Sequence, residues 1–279
     1  MLHGIQGLLQ ERCVDLEEHI KSDLDIELLK RTPSAYLGSC RFKLPEICDD
    51  RDIYDKIFSI LDKLKVEYFF YIGGNDSMDT IKKLSDYSLL NGSKIRFMGV
   101  PKTIDNDLAA TDHTPGYGSA AKYIGAITKE VIRDGLVYDQ QNVTILEIMG
   151  RNAGWLTGAA ALAKGEDCEG PDMLFLPEVT FDVDSFMKKV EELHKKKASV
   201  VVAVSEGVKL ADGRYVCELT DGIEFVDAFG HKQLTGTARF LAEKINREVG
   251  CKTRAIEFNS LQRCASHIVS RWILRKPSR

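Results

Sequence analysis

No CxxC pair occurs among the seven cysteines, Cys13, Cys40, Cys48, Cys168, Cys217, Cys251 and Cys264, and no histidine stands at metal-ligand spacing from any of them. An odd number of scattered thiols argues against a disulfide-stapled or zinc-built scaffold and fits reduced cysteines in a cytosolic protein. A strong charge excess is also missing. The formal net charge of -4 gives no electrostatic reason to expect a nucleic-acid partner. The one local basic cluster, HKKKA from His194 to Ala198, closes an amphipathic helix and reads as a solvated terminus matched to the helix dipole. No apolar run is long enough to span a membrane, and the opening MLHGIQGLLQERC lacks the basic-then-apolar order of a signal peptide. Low-complexity linkers and short repeats are absent. So is a GxGxxG turn with an acidic residue downstream, which disfavours a Rossmann dehydrogenase. These absences leave a soluble cytoplasmic protein with no nucleic-acid or membrane partner.

At 279 residues and 44% hydrophobic content, the chain is large enough for two domains or one large one. Segment types alternate with regularity. DIYDKIFSILDKLK puts Ile53, Ile57, Ile60, Leu61 and Leu64 on one helical face, and VEYFFYI then reads as a buried strand. SMDTIKKLSDYSLLNG is a predicted helix, KIRFMGV a strand, and GSAAKYIGAITKEVIRDGL a helix with Ile124, Ile127 and Val131 inward. NVTILEIM, DMLFLPE, SVVVAVS and TRAIEF follow as strands, separated by the helices GWLTGAAALAKG, VDSFMKKVEELHKKK and ARFLAEKINREVG. Strand-then-helix order with near-continuous apolar strands predicts an α/β fold of mainly parallel sheets covered by helices on both faces.

In such folds ligands sit beyond the carboxyl ends of the strands. Four polar loops fall there: GGNDS, PKTIDND, MGRNAGW and SEG. Gly73 and Gly74 let backbone N–H groups approach an anion before a helix N-terminus, and a tight turn capped by Asp76 or Ser77 explains the same letters. In PKTIDND an extended backbone would place Thr103, Asp105 and Asp107 on one side, where carboxylates hold a divalent cation and take a proton from a sugar hydroxyl. Lys102 beside them would neutralise phosphate charge. Gly150 and Gly154 in MGRNAGW allow close approach to the backbone and Arg151 suits phosphate or carboxylate, unless the loop is simply a packing turn. Glu206 of SEG would grip sugar hydroxyls or cap a helix. Arg254 and Arg263 bracket AIEFNSLQ and suit a sugar phosphate.

Taken in order, GGNDS, PKTIDND, MGRNAGW, SEG and TRAIEFNSLQRC resemble the 6-phosphofructokinase family, from about GIQGLL to QRCASHIVS. YLGSCRF resembles the family's LGSxRF segment, with Arg41 as its phosphate-contacting arginine. The resemblance implies two Rossmann-like α/β domains with the active site in the cleft between them. It implies a donor domain over residues 1–117, with 262–279 returning to it, and a sugar domain over 118–261. It implies transfer of a phosphoryl group to the 1-hydroxyl of fructose 6-phosphate with Mg²⁺, by a dimer or tetramer of the chain.

By the same resemblance Asp105 is the base, with Thr103 and Lys102 alongside, and Gly73, Gly74, Asn75, Asp76 and Ser77 meet the donor. Asp76, Asp107 and Asn75 would serve the cation. Thr103, Asp105, Asp107, Met149, Gly150, Arg151 and Glu206 would hold the sugar, with Arg254 and Arg263 on its 6-phosphate. ATP-type members carry glycine where this chain has Asp76, and PGTIDND where it has Lys102. A carboxylate and a longer side chain there would crowd the α-phosphate end of ATP, so the resemblance points to pyrophosphate as donor, with ATP as the alternative. A non-catalytic sugar-phosphate-binding paralogue is a further alternative. Asn75 replaces a metal-binding aspartate, and Asn142 stands where many members carry an arginine that reaches a neighbouring subunit's sugar phosphate. The family's leading strand with its GGxxPGxN loop has no counterpart here, and RWILRKPSR matches nothing in its pattern.

Overall fold

A computed structural model of the chain describes residues 4–32, 36, 38–219 and 234–264. Leu37 of the LGSCRF segment and residues 265–279, with the expected return of the chain to the first domain, lie outside the described residues. Two units divide at Thr103/Ile104, within the TIDND segment.

The first unit carries α1 (Gly4–Leu9), α2 (Asp23–Arg31), α3 (Arg51–Lys63), β1 (Tyr68–Gly73), α4 (Asn75–Leu90) and β2 (Arg96–Pro101). Asp50 caps α3 by accepting the Ile53 N–H at 3.2 Å, and the helix buries Tyr54, Ile57, Phe58, Ile60 and Leu61. These pack with Leu84 and Tyr87 of α4 and with Phe69, which alternates inward on β1. Lys83 is buried and donates to the Leu44 carbonyl at 3.2 Å, while Glu46 and Asp79 each lie 2.8 Å from its ammonium and hold its pKa up. β1 and β2 run parallel, Tyr68 opposite Arg96 and Gly73 opposite Pro101. The other face of this pair leaves Tyr68, Phe70, Ile72, Met98 and Val100 exposed, unlike the two-sided burial usual for parallel strands.

No element is expected before Asp52 from periodicity, yet α1 and α2 are there. Six residues are too few to show a helical period. In α2, Leu24, Ile26 and Leu28 face solvent, so its signal is the Ser22–Asp25 capping box rather than an apolar stripe.

The second unit holds α5 (Tyr117–Gly135), β3 (Asn142–Ile148), α6 (Trp155–Gly158), β4 (Met173–Phe175), α7 (Val183–His194), β5 (Ser199–Ser205), α8 (Thr237–Val249) and β6 (Lys252–Glu257). Its sheet has the order β4-β5-β3-β6 and every pairing is parallel. Alternate residues split between two cores. Val143, Ile145, Val200, Val202 and Val204 pack with α7 and α8, whereas Leu146, Ile148, Val201 and Ala203 pack with α5 and α6. GWLTGAAALAKG is a single α-helical turn followed by a 3₁₀ turn over Ala159–Ala163, rather than one helix. Close packing on α5 accompanies this break: a Cβ on Gly125 would lie 3.1 Å from that of Leu162.

Candidate active site

In the first unit the carboxyl ends of the two parallel strands bring GGNDS and Lys102 together, and the Lys102 N–H donates to the Gly73 carbonyl at 2.8 Å. Gly73 has no room for a side chain, because a Cβ there would lie 2.5 Å from the Ser77 Cβ. Gly74, not Asp76 or Ser77, is the N-cap of α4, and its carbonyl accepts the Ser77 and Met78 N–H groups. Asn75 and Asp76 are exposed in the first turn, where the helix dipole favours an anion. Lys102 is exposed as well. Arg41 lies on the stretch whose neighbouring Cys40 thiol meets the Tyr71 phenol of β1.

The TIDND segment is not extended throughout, so the alternation that would align Thr103, Asp105 and Asp107 does not hold. Asn106 adopts φ +58°, and asparagine tolerates this left-handed region better than most residues. Its buried side chain fixes the turn. Nδ2 donates to the Asp112 carbonyl at 3.1 Å, and Oδ1 accepts the Thr114 N–H at 2.8 Å.

In the second unit, the loops after β3 and β5 interlock. Ser205 is fully buried; its hydroxyl donates to the Gly150 carbonyl at 2.6 Å and accepts the Gly207 N–H at 3.1 Å. The Glu206 N–H donates to the Ile148 carbonyl at 2.9 Å, and the Gly150 N–H faces Glu206 Oε1 at 3.5 Å. Gly150 sits at φ +143°, a conformation that suits glycine. A Cβ on Gly207 would stand 2.6 Å from the carbonyl carbon and 2.8 Å from the Cα of Arg151. Glu178 Oε1 accepts the Gly154 N–H at 2.7 Å and so holds the far end of the MGRNAGW loop.

Burial pushes the Glu206 carboxyl up to about 7; the Gly150 N–H opposes this, Glu147 and Asp105 add to it, and Arg151 opposes it. Asp105, Arg151 and Glu206 therefore share one electrostatic neighbourhood with Met149 and Gly150. Arg263 lies in the 3₁₀ turn Asn259–Arg263, whose Gln262 accepts the Met149 N–H at 3.3 Å.

Arg254 is not brought to this group. It sits in the first half of β6 opposite Thr144, donates to Asp134 Oδ2 at 2.8 Å, and lies 5.8 Å from the Tyr138 ring centroid. It lines a shallow depression with Gly135, Tyr138, Gln140, Asn142 and Lys252.

No group of three or more His, Cys, Asp or Glu side chains suited to a metal occurs among the described residues. A Mg²⁺ ion needs only one or two carboxylates when phosphates supply its other ligands, so the oxygen donors Asp76, Asn75 and Asp107 have the right chemistry for a hard cation. Ser205, Glu147, Glu178 and Asn106 hold the loops and the start of α8 through contacts that are distant in sequence or internal to a turn. Of these only Asn106 carries a signal in the sequence, as an asparagine inside a polar turn.

Parallel strands that end in glycine loops, carboxylates and arginines define an α/β protein with its polar side chains gathered at the strand ends, where folds of this class place their ligand sites. The sequence profile of the family described as Phosphofructokinase matches residues 1–273, and the chain belongs to that family. It is 40% identical over 271 residues to the pyrophosphate--fructose 6-phosphate 1-phosphotransferase of Xanthomonas campestris pv. campestris, covering 96% of this chain and 64% of that one. The protein of the same description from Halomonas elongata is also 40% identical, over 96% of this chain and 63% of its own length. The crystal structure of pyrophosphate-dependent phosphofructokinase from Nitrosospira multiformis superposes with a TM-score of 0.79 at 37% identity, over 96% of this chain and 62% of that one. The chain thus spans less than two thirds of the length of these relatives.

Proposed function

We propose that the chain carries the site of a phosphotransferase that moves a phosphoryl group from pyrophosphate to the 1-hydroxyl of fructose 6-phosphate. The observation that carries this reading is the convergence of Gly150, Arg151, Glu206 and Asp105 in one neighbourhood of the second unit. Asp105 takes the proton of the 1-hydroxyl as that oxygen attacks a phosphorus of pyrophosphate. The bridging P–O bond breaks, and fructose 1,6-bisphosphate and inorganic phosphate result. The chemistry asks mainly for positioning and charge neutralisation. Thr103, Asp107, Met149, Gly150, Arg151 and Glu206 orient the sugar, and Arg263 approaches its 6-phosphate. Glu206, with its carboxyl raised to about 7, can exchange hydrogen bonds with a sugar hydroxyl in either protonation state near neutral pH.

Residues 1–117 form the donor side in this reading, with residues 118–261 the sugar side. Gly73, Gly74, Ser77, Lys102 and Arg41 meet the donor phosphates. Asp76, with Asn75 and Asp107, would hold Mg²⁺, which when bound neutralises the charge of those phosphates. The names of the relatives support pyrophosphate over ATP, and so does the Asp76/Lys102 pair, which crowds an α-phosphate. Arg254 shares its depression with Asn142 and pairs with Asp134, a placement suited to serving a second copy of the chain. Seven free thiols suit a reducing cytoplasm.

Two variants test the reading. Asp105→Asn should end turnover while fructose 6-phosphate still binds, and Lys102→Gly should raise ATP use relative to pyrophosphate. Full activity in the first variant would remove Asp105 from the role of base; an unchanged donor preference in the second would remove Lys102 from donor choice.

A further inference from the structure

Glu147 is a buried carboxylate to which the reaction above assigns no role. It is the next-to-last residue of β3, only 3% exposed, and belongs to the alternating set that faces α8. Both its oxygens are engaged by the start of that helix: the Gly236 N–H donates to Oε1 at 3.2 Å and the Ala238 N–H to Oε2 at 2.7 Å. The N-cap of α8 is Gly236 at φ +108°, with no side-chain cap of its own. A residue 91 positions earlier in the chain therefore supplies the cap. A helix N-terminus next to an anion site commonly binds phosphate; here two of its N–H groups are already taken by Glu147.

The same side chain bears on the sugar neighbourhood. β3 and β5 are paired with Ile148 opposite Ser205, so Glu206 follows directly on the strand beside Glu147. Glu147 is among the charges acting on Glu206. The groups that face Glu147 are Glu257 of β6, Arg239 of α8, Glu206 after β5 and the buried Cys217 thiol.

We propose that Glu147 is a positioning residue: it pins the N-terminus of α8 to the carboxyl end of β3 and, through its charge and placement, sets the conditions under which Glu206 meets the sugar. The second half of this inference rests on the sugar-binding reading above; the first does not. Burial, opposed by the Ala238 N–H, pushes the Glu147 carboxyl up to about 7, so its charge varies across the neutral range.

The test uses the 279-residue chain with Glu147→Gln, Glu147→Ala and Glu206→Gln. Thermal melting without ligand is recorded from pH 5 to 8, and fructose 6-phosphate binding is titrated calorimetrically over the same range. Glu147→Ala should melt below wild type at pH 5, and the fall in melting temperature with rising pH should be shallower in Glu147→Gln than in wild type. The pH midpoint of sugar binding, identified by its loss in Glu206→Gln, should move to lower pH in Glu147→Gln. Wild-type melting curves at every pH in both Glu147 variants would overturn the clamp. A binding midpoint unmoved by Glu147→Gln would overturn its action on Glu206. Wild-type chain that binds no fructose 6-phosphate would instead count against the sugar reading and overturn the second half of the inference with it, leaving the melting data to decide the clamp.

Discussion

Replacing Gly207 by alanine adds one methyl group where the chain has no space for it. The new Cβ would stand 2.6 Å from the carbonyl carbon and 2.8 Å from the Cα of Arg151, and would overlap the Arg151 carbonyl oxygen. These are backbone atoms, so no rotamer change relieves the clash. The loop after β3 or the loop after β5 must move. Both are held, because the Ser205 hydroxyl bridges the Gly150 carbonyl and the Gly207 N–H. Overpacking of this kind costs about 1–3 kcal/mol, and a two-sided backbone contact belongs near the upper end. For a domain of this size each kcal/mol lowers the Tm by about 2–4 °C, so a fall of about 6–12 °C is expected. The same displacement separates Gly150 from Glu206 and should weaken fructose 6-phosphate binding. Circular dichroism melting and calorimetric titration read the two effects, with Gly158→Ala as control. Gly158 is helical and a Cβ there meets nothing within 4 Å, so that variant should melt at or slightly above wild type. A Gly207→Ala chain with unchanged Tm and unchanged sugar affinity would refute the interlocked-loop geometry.

Two further outcomes are expected. The Glu147 and Glu206 carboxyls are each raised from 4.5 to about 7 by burial. A group whose pKa is higher in the folded chain stabilises it fully below the unfolded value, and loses that contribution as pH rises through the folded value. Each carboxyl so raised corresponds to on the order of 3 kcal/mol, so melting of the second unit should shift to lower temperature between pH 4.5 and 7; a rise over that interval would contradict the burial of both groups. Arg254→Ala breaks an exposed ion pair with Asp134 and should leave the Tm unchanged within error, while raising the KM for fructose 6-phosphate in an assembled oligomer; an unchanged KM would remove Arg254 from the site.

Periodicity carried most of the fold. SVVVAVS is β5 to the residue, and the apolar alternation of NVTILEIM places β3 between two cores because both faces of a central parallel strand are covered. The four polar loops are legible for a related reason, since each begins where an apolar or aromatic strand run ends. What escaped was set by contacts distant in sequence. Glu147 reads as an interruption of an apolar run until α8 is seen to place two N–H groups on it. Ser205 looks like the last residue of a strand rather than a bridge between loops. TIDND is not extended because one asparagine, Asn106, finds two backbone partners six and eight residues further on and turns the chain. Arg254 follows the motif in sequence, but its place in the strand sets it beside Tyr138 and Asp134.

Pyrophosphate-dependent phosphotransfer by this chain can be followed by phosphorus NMR of the 279-residue chain incubated with fructose 6-phosphate, Mg²⁺ and pyrophosphate, with ATP in a parallel sample. That reaction requires a fructose 1,6-bisphosphate signal growing in step with inorganic phosphate in the pyrophosphate sample, and none when Asp105 is changed to asparagine. Formation of the bisphosphate from ATP alone, or from pyrophosphate at an equal rate without the Asp105 carboxylate, would contradict it.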